Sequence, residues 1–214
     1  MTPLEPMLTA ITDPMVRALA GRGQLRGFPR HSVIINEGDR GDSVFVIISG
    51  RVKVFVSDDE GRELILDIHG PGDFFGEMAF DGQPRSASVT ALESTQCSVL
   101  SRDALREAIA RNPDVAMTLI ATLIERARIA TDNVKNLALM DVYGRVARLL
   151  LSLAKEQSDG KLVVPERMTQ QDIADRVGAS RDMISRIFKD LTIGGYVTVV
   201  DRQITINRRP PARW

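Results

Sequence analysis

Cysteine is almost absent: Cys97 is the only one in 214 residues. A lone thiol forms no internal disulfide and holds no iron–sulfur cluster, which excludes a disulfide-stapled domain and an iron–sulfur sensor. The run CysSerValLeu around Cys97 reads as packed core rather than as a reactive site. Histidine is nearly as scarce. His31 falls in a turn and His69 near a strand end, and both read as exposed polar residues, so no haem is expected. The chain shows no metal-ligand spacing, no nucleophile–base pair and no nucleotide-hydrolysing loop, so neither a metal site nor an enzyme is expected. Aromatics make up 5% of the residues, which leaves the cores to Val, Ile, Leu, Ala and Met. No apolar run approaches the roughly 20 residues of a membrane span. The start, MTPLEPMLTAITDPMVRALAG, lacks a basic segment followed by an apolar one, so no signal peptide and a cytoplasmic location are expected.

Net charge is also missing, with 28 basic and 28 acidic residues. The balance is uneven along the chain, however. Residues 142–214 hold 13 Lys/Arg against 8 Asp/Glu, and residues 1–141 hold 15 against 20. A basic C-terminal third points to a polyanion partner, although many solvated faces look the same.

From Gly27 to about Ser101 the chain reads as short strands that end at glycine. SVIINEG, SVFVIISG, RVKVFVSDDEG and RELILDIHGPGD are β-branched runs closed by turn residues, with SDDEGRE as a hairpin. Turn signals about every ten residues suggest an antiparallel barrel or sandwich. Asn112-Pro113-Asp114 then announces a helix, with an Asn cap, Pro at the first position and an acid in the first turn. It runs to about Leu139. Ile120, Leu123, Ala127, Ala130, Val134 and Leu137 step by three and four residues along it, a heptad seam. The seam is narrow and has alanines at its middle, while Arg126, Arg128, Asp132 and Asn133 flank it. Pairing between two subunits is therefore expected over the alternative, a helix lying on its own β domain. Asp141 caps a further helix with Val146, Leu149, Leu150 and Leu153 on one face. After a polar loop at 156–160 the rest reads as a small helical domain ending in the hairpin YVTVVDRQITI, with Asp201-Arg202-Gln203 at its tip.

Thr169 to Asp172 reads as a capping box. Ile173, Ala174 and Val177 form an inner face, Gly178 supplies a turn at positive φ, and Ser180 caps a second helix packed through Ile184, Ile187 and Leu191. A small residue at the crossing, a glycine in the turn and a branched residue filling the crossing are the steric needs of a helix-turn-helix. The outer face of the second helix is then Arg181, Asp182, Ser185, Arg186 and Lys189. Arg181 and Arg186 suit the O6/N7 edge of guanine, and Asp182 suits a cytosine amino group. Thr169, Ser180 and Arg202 are placed for phosphates.

Phe74-Phe75-Gly76-Glu77-Met78-Ala79 and Pro84-Arg85-Ser86-Ala87 carry the remaining chemistry. A glycine that opens a helical turn after a strand exposes backbone N–H groups to a phosphate. Arg85, expected on the following strand, would neutralise that phosphate and Ser86 would donate to it. Glu77 would repel a phosphate, so it fits a ribose hydroxyl. A structural Glu77–Arg85 ion pair is the plainer alternative.

FGEMA…PRSA resembles the phosphate-binding cassette of cyclic-nucleotide-binding domains. NLALMDVYGRVARLLLSLAK and TQQDIADRVGASRDMISRIFKDL resemble the hinge and DNA-binding motif of the CRP/FNR family. The likeness covers nearly the whole chain in family order. It implies an α+β protein with an N-terminal antiparallel β-roll (residues 1–111), a long dimerisation helix (112–140) and a C-terminal winged helix-turn-helix (141–214). It implies a homodimer that binds double-stranded DNA at inverted half-sites, with RNA polymerase as a further partner and a cyclic nucleotide as effector. By the resemblance, Gly76 and Met78 offer backbone donors, Glu77 holds the ribose, Arg85 and Ser86 hold the cyclic phosphate, Arg126 sits near the pocket roof, and Thr131 reaches the purine across the dimer. Four departures stand out. Ala130 replaces a threonine that bonds adenine, Phe80-Asp81-Gly82-Gln83 makes the cassette one residue short, Asp182 replaces a glutamate, and Gln170 replaces a basic phosphate contact. Cyclic AMP is the favoured effector, cyclic di-GMP its rival, and a ligand-independent regulator the third possibility.

Overall fold

The structure, a computed structural model, describes residues 7–158 and 160–210. The outermost residues of the expected first and last domains, and Asp159 of the expected 156–160 loop, lie outside the described residues. The chain forms two compact units. One joins the chain up to Val56 with Leu66–Arg128, and the other joins Ser57–Ile65 with the chain from Ile129 onward.

The first unit opens with a short 3-10 turn, Leu8–Ala10, and helix α1, Pro14–Ala20. The sequence reading passed over α1 although its start is locally written. Asp13 accepts from Met15 N–H and Val16 N–H at 2.7 and 3.1 Å, and Pro14 takes the first helical position. Eight strands follow: β1 Gln24–Phe28, β2 Val33–Ile35, β3 Ser43–Ser49, β4 Val52–Ser57, β5 Glu63–His69, β6 Phe74–Phe75, β7 Ser88–Ala91 and β8 Thr95–Ser101. They make two four-stranded sheets, in the orders β1-β8-β3-β6 and β2-β7-β4-β5. The pairs between β1 and β8, β3 and β8, β2 and β7, and β4 and β7 are antiparallel.

β3 explains why two cores can share one sheet. Its alternating side chains part company as the pleat requires. Val44, Val46 and Ile48 join Leu19, Phe74, Leu100 and Leu105 in one core, while Phe45 and Ile47 join Ile35, Val52, Phe75, Val89 and Cys97 in another. This is why SVFVIIS reads as an unbroken apolar run and not as an alternation. Phe45 and Phe75 stack at 4.9 Å between ring centroids. Cys97 is fully buried, and burial pushes its thiol up to about 12, so it stays protonated in the core.

Helix α2, Arg102–Arg111, was also not foreseen; the Ser101 hydroxyl caps it by accepting from Ala104 N–H. Helix α3, Asp114–Leu139, begins as expected, with Asp114 N–H donating to the Asn112 side chain at 3.1 Å. Val115 is its one buried residue in the single chain. Ile120, Leu123, Val134 and Leu137 of the expected seam are exposed, and so are Met117, Ile124 and Ile129, which broaden the apolar face beyond the heptad positions. Ala127 and Ala130 lie exposed on the same helix.

In the second unit Asp141 caps helix α4, Val142–Leu153, accepting from Gly144 N–H at 2.7 Å. Strands β9, Lys155–Glu156, and β10, Leu162–Val164, precede helices α5, Gln170–Val177, and α6, Arg181–Ile193. Strands β11, Val197–Val200, and β12, Gln203–Ile206, close a sheet in the order β11-β12-β10-β9. The expected hairpin is thus half of a four-stranded sheet, and Glu156 lies in a strand. Its tip is two residues, not three: Asp201 and Arg202 carry the turn at φ 49° and 64°, as a primed hairpin turn demands, and Gln203 is already paired. Leu150, Val146, Ile173, Ala174, Ile184, Leu191 and Ile204 are all buried to 1% exposure or less in the core beneath.

Leu150→Ala is expected to cost about 2–5 kcal/mol through lost burial and a residual cavity. Denaturant unfolding measures this, and a loss under about 1 kcal/mol would mean that the core collapses around the site.

Candidate functional site

The cassette is built on the β3–β6 pair. β6 registers Phe74 and Phe75 against Val46 and Phe45, and Gly76 then turns the chain at φ +83° into a 3-10 turn, Glu77–Asp81. A Cβ at Gly76 would stand 2.9 Å from both Arg85 Nη1 and the Ser43 carbonyl oxygen. Positive φ and this close approach together require glycine.

Arg85 is not on a strand; it sits in the loop ahead of β7. The residue is 8% exposed, and its guanidinium donates to the Gly76 carbonyl at 2.6 Å and the Ser43 carbonyl at 2.9 Å. Among the described residues it makes no ion pair, and burial pushes its pKa below the ordinary guanidinium value. The Glu77–Arg85 pair is therefore not formed. Glu77 Oε1 instead accepts from Arg126 Nη1 at 3.1 Å, with both side chains less than one-fifth exposed. Arg126 also donates to the Phe74 carbonyl and lies over the Phe74 ring at 4.7 Å. The Ser86 hydroxyl donates to Met78 Sδ at 3.1 Å, and Met78 is 60% exposed. Six of the seven effector residues singled out by sequence thus meet in one place: Gly76, Glu77, Met78, Arg85, Ser86 and Arg126. Thr131 is an exposed residue of α3 in the other unit.

His69 corrects the sequence reading, which had it exposed. It is 6% exposed, with Nδ1 3.7 Å from Asp67 Oδ2. Burial and the Arg126 charge push its imidazole below the ordinary 6.5, against the pull of Asp67, Asp73 and Glu77. His31 is exposed and holds a turn at φ 65°. Among the described residues no three metal-ligating side chains come together, and no helix is long and apolar enough to cross a membrane.

The second site is the surface of α5 and α6. The Thr169 hydroxyl accepts from Asp172 N–H at 3.1 Å while Asp172 accepts from Thr169 N–H at 2.7 Å, which completes the capping box. Gly178 ends α5 at φ +65°, and Ser180 caps α6 by accepting from Met183 N–H. Arg181, Asp182, Ser185, Arg186 and Lys189 are exposed on α6, Arg202 is exposed at the hairpin tip, and Thr169 and Gln170 are half-buried. Among the described residues Arg181, Arg186, Lys189 and Arg202 make no ion pair, which leaves their charges to solvent. Sequence reasoning missed Arg145. It donates to the carbonyls of Val177, Met140 and Gly178 at 2.8, 2.9 and 3.3 Å, tying the α3–α4 break to the turn of the helix pair. Nothing in its local sequence distinguishes it from a solvated arginine.

A β-roll with a glycine-opened turn over a buried arginine, in one chain with a helix-turn-helix and a hairpin wing, is the architecture of a DNA-binding regulator with an effector domain. Comparison with known proteins says which. Residues 25–112 match the cyclic nucleotide-binding domain family and residues 144–210 the Crp-like helix-turn-helix domain family. The chain is 37% identical over 196 residues to a CRP-like cAMP-activated global transcriptional regulator of Mycobacterium tuberculosis, covering 90% of this chain and 88% of that one. It is 33% identical over 202 residues to the cAMP-activated global transcriptional regulator CRP of Escherichia coli, covering 91% and 95%. The c-di-GMP responsive global regulator CLP of Xanthomonas campestris shares the fold, with a TM-score of 0.78 at 24% identity, covering 90% of this chain and 97% of that one. The chain belongs to the CRP/FNR family of DNA-binding transcription regulators, whose members are not enzymes.

The depressed His69 value has a consequence for stability. The unfolded chain takes the proton near 6.5, whereas the folded one resists it, so protonation favours unfolding. Stability is full above that value and falls as pH drops through it toward the folded value. Melting midpoints between about pH 7.5 and 5 should fall, and His69→Leu should flatten the fall. An unaltered slope in the variant would assign the titration to another group.

Proposed function

We propose that this protein is a homodimeric transcription regulator whose DNA affinity is set by cyclic AMP. The observation that carries the reading is Arg85: a buried cation at the mouth of a glycine turn, hydrogen-bonded to carbonyls and to no carboxylate. Such a charge suits an anion that also takes the backbone N–H groups after Gly76. Ser86 gives up a weak thioether acceptor to donate to the same phosphate. Glu77 meets a ribose hydroxyl, and its pairing with Arg126 answers the repulsion a carboxylate would otherwise exert on a phosphate. Thr131 bonds the purine from the partner subunit. The cAMP-activated relatives at 37% and 33% identity favour this nucleotide. Ala130 and the short cassette are why cyclic di-GMP belongs in the same test.

In this reading residues 1–111 sense the effector, 112–140 dimerise and 141–214 bind DNA. The exposed apolar face of α3 is an interface awaiting a second copy, through Ile120, Leu123, Ala127, Ala130, Val134 and Leu137. Two α6 helices enter successive major grooves of inverted half-sites about one helical turn apart. Arg181 and Arg186 read guanines, Asp182 reads a cytosine at shorter reach, and Ser185 and Lys189 lie alongside. Thr169, Gln170, Ser180 and Arg202 meet phosphates. RNA polymerase is the further partner and the cytoplasm the location.

Calorimetry with cyclic AMP, cyclic GMP and cyclic di-GMP, followed by DNA binding with each, tests the proposal. Cyclic AMP should bind and change DNA affinity. Binding of cyclic di-GMP alone would replace the effector, and firm sequence-specific DNA binding with no ligand heat would make the protein ligand-independent. Arg85→Leu leaves the Gly76 and Ser43 carbonyls unpaired and so costs fold stability as well as binding. Arg85→Lys is the better probe, since it keeps a cation but not the fork, and should weaken cyclic AMP roughly tenfold or more.

Ala127→Glu sets like charges face to face in the seam and should convert the dimer to a monomer in sedimentation. A persisting dimer would place the interface elsewhere.

A further inference from the structure

We infer that Arg102 is a positioning residue for the cassette: it holds the far end of the Glu77–Asp81 turn and so sets where the Gly76–Met78 backbone groups point. The turn has only five residues. A 3-10 helix of that length has poor hydrogen-bond geometry and leaves terminal carbonyls over, so its orientation depends on what grips its ends. The near end is gripped by Arg126, through the Glu77 carboxylate and the Phe74 carbonyl. The far end is gripped by Arg102, 22 residues further along the chain at the start of α2. Arg102 Nη2 donates to the Phe80 carbonyl, and the guanidinium carbon lies 6.0 Å from the centre of the Phe80 ring. Phe80 in turn packs, partly buried, on the core that contains Phe74, Leu100 and Leu105.

The side chain spends its hydrogen bonding unevenly. Arg102 Nε is buried and, among the described residues, has no partner. A buried N–H left unpaired is a standing penalty, so this guanidinium is not placed for its own solvation. What it gains is Phe80. The two grips also differ in kind. The one at Glu77 is an ion pair that a ligand hydroxyl would share or displace, whereas the one at Phe80 touches none of the groups assigned to the ligand. Arg102 thus acts in the free and the bound protein alike, ordering the donors before the ligand arrives and sparing that ordering cost at binding. Its consequence for affinity rests on the effector reading; its hold on the turn does not.

Two measurements on the full chain test this. In ligand-free protein, Arg102→Met should speed amide exchange over residues 77–81 by about tenfold while β3 and β8 amides keep their protection. Arg102→Lys should recover part of the slowing, because it keeps a cation for the carbonyl but not the stacked plane. With cyclic AMP as probe, calorimetry should show a dissociation constant roughly tenfold or more weaker for Arg102→Met, with Arg102→Lys between. Unchanged exchange over 77–81 overturns the proposal, and so does loosening that spreads through β3 and β8, or undiminished affinity. If the unaltered protein binds no cyclic nucleotide, the effector reading fails and the exchange result alone decides the role of Arg102.

Discussion

Backbone carbonyls that leave a strand or helix without a partner must find donors, and in this protein arginine supplies them. Arg85 serves Gly76 and Ser43, Arg126 serves Phe74, Arg102 serves Phe80, and Arg145 serves Met140, Val177 and Gly178. A guanidinium suits this task because its donors are planar, permanently charged and spread over a fork that reaches two carbonyls at once. Each of these carbonyls stands at or beside a departure from regular structure: the cassette, its flanking turn, and the break ahead of the helix-turn-helix.

The arrangement gives the cassette a definite electrostatic state. Glu77 pairs with Arg126, whereas Arg85 spends its hydrogen bonds on neutral carbonyls and feels the Asp42 and Glu77 carboxylates only from beyond hydrogen-bond reach. A buried guanidinium with no hydrogen-bonded counterion is where an anion gains most and water competes least. β3 makes this possible by anchoring both neighbours. Its even residues hold one core and its odd residues the other, so Phe45 can register Phe75 and fix the start of Gly76 while Ser43 offers its carbonyl to Arg85.

The surface of the helix-turn-helix follows a different logic. Its arginines and lysine are exposed, and their geometry is set by the caps and by Gly178 rather than by partners. This is the part of the chain that was most legible from residues alone. Thr169, Asp172, Gly178 and Ser180 act within a few residues of themselves, and the conformations they demand do not wait on the rest of the fold. The starts of α1 and α2 are equally local, at Asp13-Pro14 and Ser101, but their apolar stripes, Val16, Leu19 and Ala20 in the one and Leu105, Ala108 and Ile109 in the other, span about one turn each and give little period to read. β9 and β10 were missed for the same reason: strands of two and three residues have no period to read.

The sequence by itself therefore determined the caps, the turns, the strand runs, the heptad seam and the residue types of both sites. These are properties of neighbours in the chain, written in φ preferences and in spacing. Tertiary structure alone decided which charges meet. Glu77 is eight residues from Arg85 and forty-nine from Arg126, yet it pairs with the distant one, because β6 and α3 bring that arginine over the Phe74 ring while Gly76 turns Arg85 toward carbonyls. His69 lay open in the one reading and buried in the other for the same reason. Burial and partner choice belong to the packing of elements remote in sequence, and no local pattern encodes them.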